Sequence, residues 1–300
     1  MAAHETPRAG RPGAVGGRGV RVSPAAVPTV ALADGHRMPV LGFGVYKVAP
    51  GGTEAAVGAA LAAGYRLIDT AALYANEAGV GRAVKASGVP REDLFVTTKV
   101  WNTDQGYDAT LRAFDVSLGE LGLDRVDLYL VHWPMERRGL YRETWRALER
   151  LHADGLARSI GVSNFNPGHL DRLLAAARVA PVLNQVELHP GLRQDAVRAA
   201  NAAHGIVTQA WSPLGQGKGL LADARVTALA DALGRTPAQV VLRWILQLGV
   251  AALPRSVRPE RIRANLDVFG FELTQPQMDV LTAFGDGNRV GPDPDAYGNP

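Results

Sequence analysis

The sequence predicts an α/β protein: a closed (β/α)8 TIM barrel with an N-terminal β-hairpin and an extra C-terminal helix. Three observations lead there. From Thr29 onward, β-like runs alternate with helix-like segments until eight strand–helix units are complete. The linkers between them are too short to separate domains. Two of the runs, Val126–Val131 and Val250–Leu253, are near-continuous apolar strands of the kind a parallel sheet covered on both faces requires. A doubly wound open sheet would call for a glycine fingerprint after an early strand. The glycine-rich stretch Gly215–Gly219 lies late and lacks that spacing.

Taken in order, Thr29–Leu32 and Met38–Val40 flank Asp34-Gly35, a hairpin signal, and Leu41–Val45 opens the repeating pattern. A helix over Thr53–Ala63, with Thr53 as its expected N-cap, stops at Gly64. Strand Arg66–Asp69 and helix Glu77–Ser87 follow, then strand Leu94–Lys99, helix Asp108–Leu121, strand Val126–Val131 and helix Tyr141–Ala153. Strand Ser159–Ser163, helix Pro167–Ala177, strand Val182–Glu187, helix Gln194–Ala203 and strand Val207–Trp211 continue the alternation. An insertion over 212–224 precedes helices Arg225–Leu233 and Pro237–Leu248, strand Val250–Leu253 and helix Arg258–Val268. Thr274–Ala283 is the extra helix, capped by Thr274.

Composition narrows the classes of function. With 47% hydrophobic residues over 300, the chain can build a large core, yet no window approaches the eighteen unbroken apolar residues of a membrane span. Cysteine is absent, which excludes disulfides, thiolate nucleophiles and thiolate metal sites and fits a reducing, cytoplasmic compartment. A net charge of +3 gives no argument for nucleic acid. Residues 1–26 stand apart: they lack apolar periodicity and an apolar signal core, and Glu5 is their one acid. They read as a disordered extension or a misplaced start, with a basic arm as the other reading, which leaves 27–300 as the folded domain.

In such a barrel the chemistry lies at the carboxyl ends of the strands. The polar residues placed there are Asp69, Lys99, His132, Ser163, Asn164, Gln185, Trp211, Arg255 and Ser256. Singly, a strand-end lysine reads as a solvated charge and a histidine before Trp133-Pro134 as a hydrogen-bonded structural residue. Their convergence on one rim does not reduce to packing. A tyrosine, with an ordinary pKa of about 10, is a poor acid near neutrality unless an ammonium stabilises its phenolate. Tyr74 is then the expected acid and Lys99 the group that draws its pKa down. Asp69 keeps Lys99 charged, and a neutral His132 donates to a substrate carbonyl. No side chain carries a hydride, so a reduced nicotinamide is required.

At these residues the sequence resembles the aldo-keto reductase superfamily. The motifs run from GYRLIDTAALYANEAGVG through TTKVWN, LYLVHWP, SIGVSNF, NQVELHP and WSPLGQGKG to LPRSVRPERIRANL, in the family's order. Within the superfamily the chain looks most like the bacterial 2,5-diketo-D-gluconate reductases. The resemblance implies a monomer that binds NADPH along the rim, with Tyr74, Asp69, Lys99 and His132 as the catalytic tetrad. It implies Ser163, Asn164 and Gln185 at the nicotinamide carboxamide, Trp211 against its ring, and Ser212, Leu214 and Gly215 at the pyrophosphate. Arg255, Ser256 and Arg261 are implied at the 2′-phosphate and Asn265 at the adenine. Arg258 and Arg263 read equally well as a solvated helix face.

Two positions depart from the family's pattern: Arg255 stands where lysine is common, and Ala264 where glutamate often contacts the adenine. Tyr46, Trp101, His132 and Trp133 are implied to line the substrate pocket, although Tyr46 replaces a common phenylalanine. The short tail after Asp286 is expected to leave that pocket open. The competing reading is a non-catalytic NADPH-binding, redox-sensing subunit. Metal-dependent hydrolysis lacks a His-x-His ligand pair.

Overall fold

The computed structural model describes residue 1 and residues 27–298, so the extension expected over 1–26 lies, beyond Met1, outside the described residues. The strands are β1 (Thr29–Ala31), β2 (Arg37–Pro39), β3 (Phe43–Gly44), β4 (Leu67–Asp69), β5 (Phe95–Val100), β6 (Val126–Val131), β7 (Ala157–Ser163), β8 (Leu183–Glu187), β9 (Val207–Trp211) and β10 (Ala251–Leu253). The helices are α1 (Pro50–Ala63), α2 (Glu77–Ala86), α3 (Tyr107–Leu121), α4 (Tyr141–Ala153), α5 (Pro167–Leu174), α6 (Asp195–Ala203), α7 (Ala224–Leu233), α8 (Pro237–Gln247), α9 (Pro259–Leu266) and α10 (Gln275–Thr282). Among the described residues, no helix is long and apolar enough to cross a membrane.

Strands β3 to β10 form one parallel sheet in sequence order, each hydrogen-bonded to the next. A bridge from Leu41 to Ala252, with Gly42 N–H donating to Ala252 O at 2.9 Å and Gly44 N–H to Pro254 O at 3.1 Å, joins the last strand to the first and closes the barrel. The antiparallel β1–β2 hairpin closes the amino end of the barrel. Its Leu32 and Met38 pack on the inward Leu67, Phe95, Leu128, Leu130, Leu183 and Leu253. Ser159 Oγ donates to Asp34 Oδ2 at 2.6 Å and pins the hairpin's turn to β7. A larger apolar layer, with Trp145, Trp244, Tyr65, Phe114 and Tyr129 among its bulkiest members, fills the space between barrel and helices. Each such side chain taken out of water contributes roughly 1.5–3 kcal/mol, and this layer holds the strand ends in fixed relation.

Helix starts follow the sequence. Asn166 with His169, Thr236 with Gln239 and Thr274 with Gln277 each form a reciprocal capping box, with proline in the first turn. One expected cap is corrected. Thr53 lies inside α1, buried, with its hydroxyl donating to Ala49 O at 3.0 Å, because Pro50 opens the helix three residues earlier. The 212–224 insertion contains two short 3₁₀ turns, Gly215–Gly217 and Leu220–Ala222.

Candidate active site

The polar residues expected at the strand ends do meet at the carboxyl rim. Asp69 ends β4 and Lys99 lies one residue from the end of β5. The parallel register sets Asp69 beside Thr97, so Lys99 stands one pleat higher and can reach down to it. Lys99 is fully buried; Nζ donates to Asp69 Oδ1 at 2.7 Å and to Thr70 O at 2.9 Å. Burial pulls the lysine below its ordinary pKa, opposed first by Asp69 and then by Glu77. An ammonium with a carboxylate and a carbonyl in bonding contact is the state this geometry supports.

Tyr74 ends a 3₁₀ turn, Ala72–Tyr74, which the left-handed Ala75 (φ 51°) terminates. Asn76 fixes that turn: its amide donates to Val45 O and Val48 O, and its Oδ1 accepts from Thr70 Oγ1 at 2.8 Å. Glu77, opening α2, accepts from Thr98 on β5 and from Ser117 on α3. The turn is thereby held against the strand that carries Lys99, whose Nζ lies 5.2 Å from the Tyr74 ring centroid. Burial first, then the Asp69 and Tyr46 charges, raise the Tyr74 phenol well above its ordinary pKa of 10.0. This corrects the expectation that Lys99 draws it down. Removal from water and a nearby carboxylate outweigh one ammonium, and the phenol keeps its proton at neutral pH.

His132 follows β6 directly, its ring edge-on to Tyr74 at 5.8 Å and to Trp101 at 5.1 Å. Burial, then Lys99, pulls its pKa well below 6.5, so the imidazole is neutral. Its Nδ1 is buried without a hydrogen-bond partner. Asn164 Nδ2 donates to His132 O at 2.9 Å, Trp211 Nε1 donates to Asn164 Oδ1 at 2.8 Å, and Ser163 Oγ donates to Gln185 O at 2.8 Å. Gln185 Nε2 donates to Asp69 Oδ2 at 2.8 Å and to Gln209 Oε1 at 2.9 Å. Ser163, Asn164, Gln185 and Trp211 therefore form one network that reaches both Asp69 and His132.

The other expected residues separate into two groups. Tyr46 packs on Tyr74 with ring centroids 5.1 Å apart, and Trp133 meets Trp211 at 6.5 Å. Trp101 packs edge-on to His132, so these rings stand beside the Tyr74–His132 pair. In the second group, Ser212 (φ 51°) accepts from Gln216 Nε2, Leu214 leads into the Gly215–Gly217 turn, and Arg255, Ser256 and Arg261 lie at or near the surface after β10. Asn265 is buried on α9, the helix that also carries Arg261.

The tail after Asp286 is fastened along the rim. Asp286 Oδ1 accepts from Arg193 N and Gln194 N, Asn288 N donates to Gly191 O, and Gly291 N donates to Glu187 Oε2 at 2.9 Å. Tyr297 then packs on Trp133, the two rings tilted with centroids 4.5 Å apart. The residues missed in the sequence are Thr70, Asn76, Gln209, Glu187 and Tyr297. Asn76 and Thr70 were flanked by recognised positions, whereas the lone aromatic of the Gly- and Asp-rich tail offered no periodic signal.

The chain is similar to known proteins over most of its length. The model of the aldo/keto reductase family matches residues 41–286. An aldo-keto reductase of Mycolicibacterium vanbaalenii is 55% identical over 275 residues, covering 92% of this chain and 98% of that protein. A crystal structure of a Gox0644 mutant in complex with NADPH superposes with a TM-score of 0.86 at 45% identity, covering 90% of this chain and 98% of that one. The Bombyx mori aldo-keto reductase in complex with NADP has a TM-score of 0.86 at 35% identity, covering 92% of this chain and 99% of that one.

Proposed function

We propose a function from one premise: the chain belongs to the aldo/keto reductase family, whose members are NADP-dependent oxidoreductases acting on carbonyl groups. The protein reduces aldehydes or ketones to alcohols with NADPH, as a cytoplasmic monomer. Its substrates are small dicarbonyls and sugar ketoacids, of which 2,5-diketo-D-gluconate, reduced to 2-keto-L-gulonate, is the type. The observation that carries the reading is the buried Lys99–Asp69 pair, 2.7 Å apart, beneath the ring of a protonated Tyr74 and beside a neutral His132. Tyr74 and the neutral His132 stand with ring centroids 5.8 Å apart, and a phenol O–H and an imidazole N–H in such proximity are donors suited to an oxygen that gains negative charge.

The residues present fit NADPH. Arg255 and Arg261 are exposed guanidiniums flanking Ser256, and planar forks suit a 2′-phosphate better than a hydroxyl. Ser212, Leu214 and Gly215 offer hydroxyl and backbone donors for the pyrophosphate, and the buried Asn265 amide suits the adenine. NADPH, when bound, supplies the hydride. Ser163, Asn164 and Gln185, which now bond among themselves, would hold its carboxamide, and Trp211 would lie against its ring. Tyr46, Trp101 and Trp133 shape the substrate side and exclude water. Tyr74 gives its hydroxyl proton to the carbonyl oxygen, His132 orients that oxygen by a hydrogen bond, and Lys99, kept cationic by Asp69, stabilises the phenolate left behind.

The test is Tyr74→Phe, assayed with methylglyoxal, a diketo sugar acid and aromatic aldehydes. NADPH binding should be retained while turnover falls by at least about 10²-fold, the lower end of general acid contributions. Turnover near the parental rate in that variant would remove Tyr74 as the acid. If the parent binds NADPH yet oxidises it with no carbonyl in the panel, the non-catalytic, redox-sensing reading takes over.

A further inference from the structure

We propose that Glu187 and Gly291 are positioning residues: the buried Glu187 carboxylate clamps the C-terminal tail, and Gly291 lets the clamped tail lie directly on the Trp211 indole. The effect on catalysis rests on the function proposed above; the clamp itself does not.

Glu187 ends β8, in register with Trp211 at the end of β9, so the two side chains are neighbours at the rim. The glutamate is only 1% exposed. Its Oε1 accepts from Val290 N–H at 2.5 Å and lies 3.0 Å from His189 Nε2, while Oε2 accepts from Gly291 N–H at 2.9 Å. Burial works to raise this carboxyl, yet the His189 contact and the two tail amides hold it below its ordinary value. A carboxylate committed at both oxygens to the backbone of a distant segment is a fastening, not a solvated charge. From the other side Lys218 Nζ donates to Val290 O at 3.1 Å. At the next residue the tail meets the indole: a Cβ on Gly291 would lie 2.5 Å from Trp211 Cη2 and 3.1 Å from Glu187 Oε2. Only glycine passes there with ring and carboxylate in place. From Trp211 the connection continues through Nε1 to Asn164 Oδ1, and from Asn164 Nδ2 to the carbonyl of His132. The clamp thus reaches the centre of the site through three residues.

Two full-length variants test it. In Glu187→Gln the amide presents one acceptor and one donor where two acceptors stood, so one tail N–H loses its partner. Gly291→Ala inserts the excluded methyl. Hydrogen exchange of the 288–298 backbone in the cofactor-free protein should quicken by about tenfold or more in Glu187→Gln, the loss expected for charge-assisted bonds. In both variants NADPH affinity should weaken, and KM for the carbonyl substrate should rise about tenfold while kcat stays within about threefold, the pattern of lost positioning. Unchanged tail exchange in Glu187→Gln would overturn the clamp. Quickened exchange with unchanged NADPH affinity and KM would overturn its link to the site. If Glu187→Gln does not fold, Gly291→Ala reads the same link from the tail side, and parental NADPH affinity and KM there would overturn it. A parent protein that reduces no carbonyl would instead refute the proposed function, with the exchange result unaffected.

Discussion

Replacing Asp69 by asparagine probes the Lys99–Asp69 pair most directly, because neither partner has water to fall back on: Lys99 is 0% and Asp69 4% exposed. Asparagine keeps the shape and one oxygen but withdraws the negative charge 2.7 Å from Nζ. Breaking a buried pair by removing one partner costs roughly 3–5 kcal/mol. An independent route gives a similar limit. If Lys99 escapes by losing its proton, the cost at pH 7 against the ordinary value of 10.5 is about 1.36 kcal/mol per pH unit, or about 5 kcal/mol. A second penalty is independent of pH. Gln185 Nε2 donates to the other Asp69 oxygen at 2.8 Å, and the new amide would set donor against donor there, for about 1–3 kcal/mol.

The pH dependence separates the two. With its carboxylate gone, Lys99 titrates lower in the fold than in the parent, so below pH 10.5 the unfolded chain binds more protons than the native one. Native stability of the variant then rises with pH through that window, by at most about 1.36 kcal/mol per unit, and the gap to the parent narrows. Urea unfolding of both proteins at intervals from pH 7 to 9.5 measures this. A loss below about 1 kcal/mol at pH 7, or a gap that does not change with pH, would refute the claim that a buried charge is being compensated.

Three further outcomes follow from packing and titration. Gly81→Ala should destabilise the protein by about 3 kcal/mol or more, the scale of overpacking against rigid backbone, because its Cβ would lie 2.0 Å from Leu121 O. Gly58→Ala on α1, where a Cβ meets nothing within 4 Å, should be neutral or stabilise by up to about 1 kcal/mol; chemical denaturation of the two side by side checks both signs. Because His132 is held well below 6.5 by burial and then by Lys99, the unfolded chain takes that proton first. Its contribution is present above pH 6.5 and is lost as pH falls. His132→Gln should therefore show a shallower decline in Tm between pH 6.5 and 5 than the parent, and an identical slope would count against a neutral native imidazole.

The barrel was legible because its cause is local and repeated. Apolar runs such as Val126–Val131 end in a polar residue, helices follow, and capping pairs such as Thr236 with Gln239 mark their starts. The rim residues were legible for the same reason, since a strand end fixes where a side chain emerges. Thr53 misled because a capping threonine and a threonine bonded back to a preceding carbonyl look alike in sequence, and Pro50 settled the matter. The tail's docking was not legible because its order comes from Glu187, Gly191 and Trp211, which lie about a hundred residues upstream. Nothing within 286–298 announces those partners. The sign of the Tyr74 shift was misread for a related reason: residue types reveal which charges are near, whereas the depth of burial that outweighs them is a property of the assembled fold.

That sign bears on how the proposed acid works. A phenol held above its ordinary pKa is fully protonated at neutral pH, as a donor must be before reaction, and wastes none of its population as phenolate. What it lacks is willingness to part with the proton in the resting site, and that willingness is needed only when negative charge develops on the acceptor oxygen. In the proposed mechanism Lys99 answers that demand. Its ammonium lies 5.2 Å from the Tyr74 ring centroid, fixed by bonds to Asp69 and Thr70 that do not move with the substrate. Stabilisation of the phenolate is built in beforehand, and its strength grows as water is excluded. Asp69, which raises the phenol's pKa, is also the group that keeps this cation in place. In the proposed mechanism the carboxylate opposes the acid at rest and supports it in the transition state, and the Gln185 amide on its second oxygen ties the balance between the two to the network under Trp211.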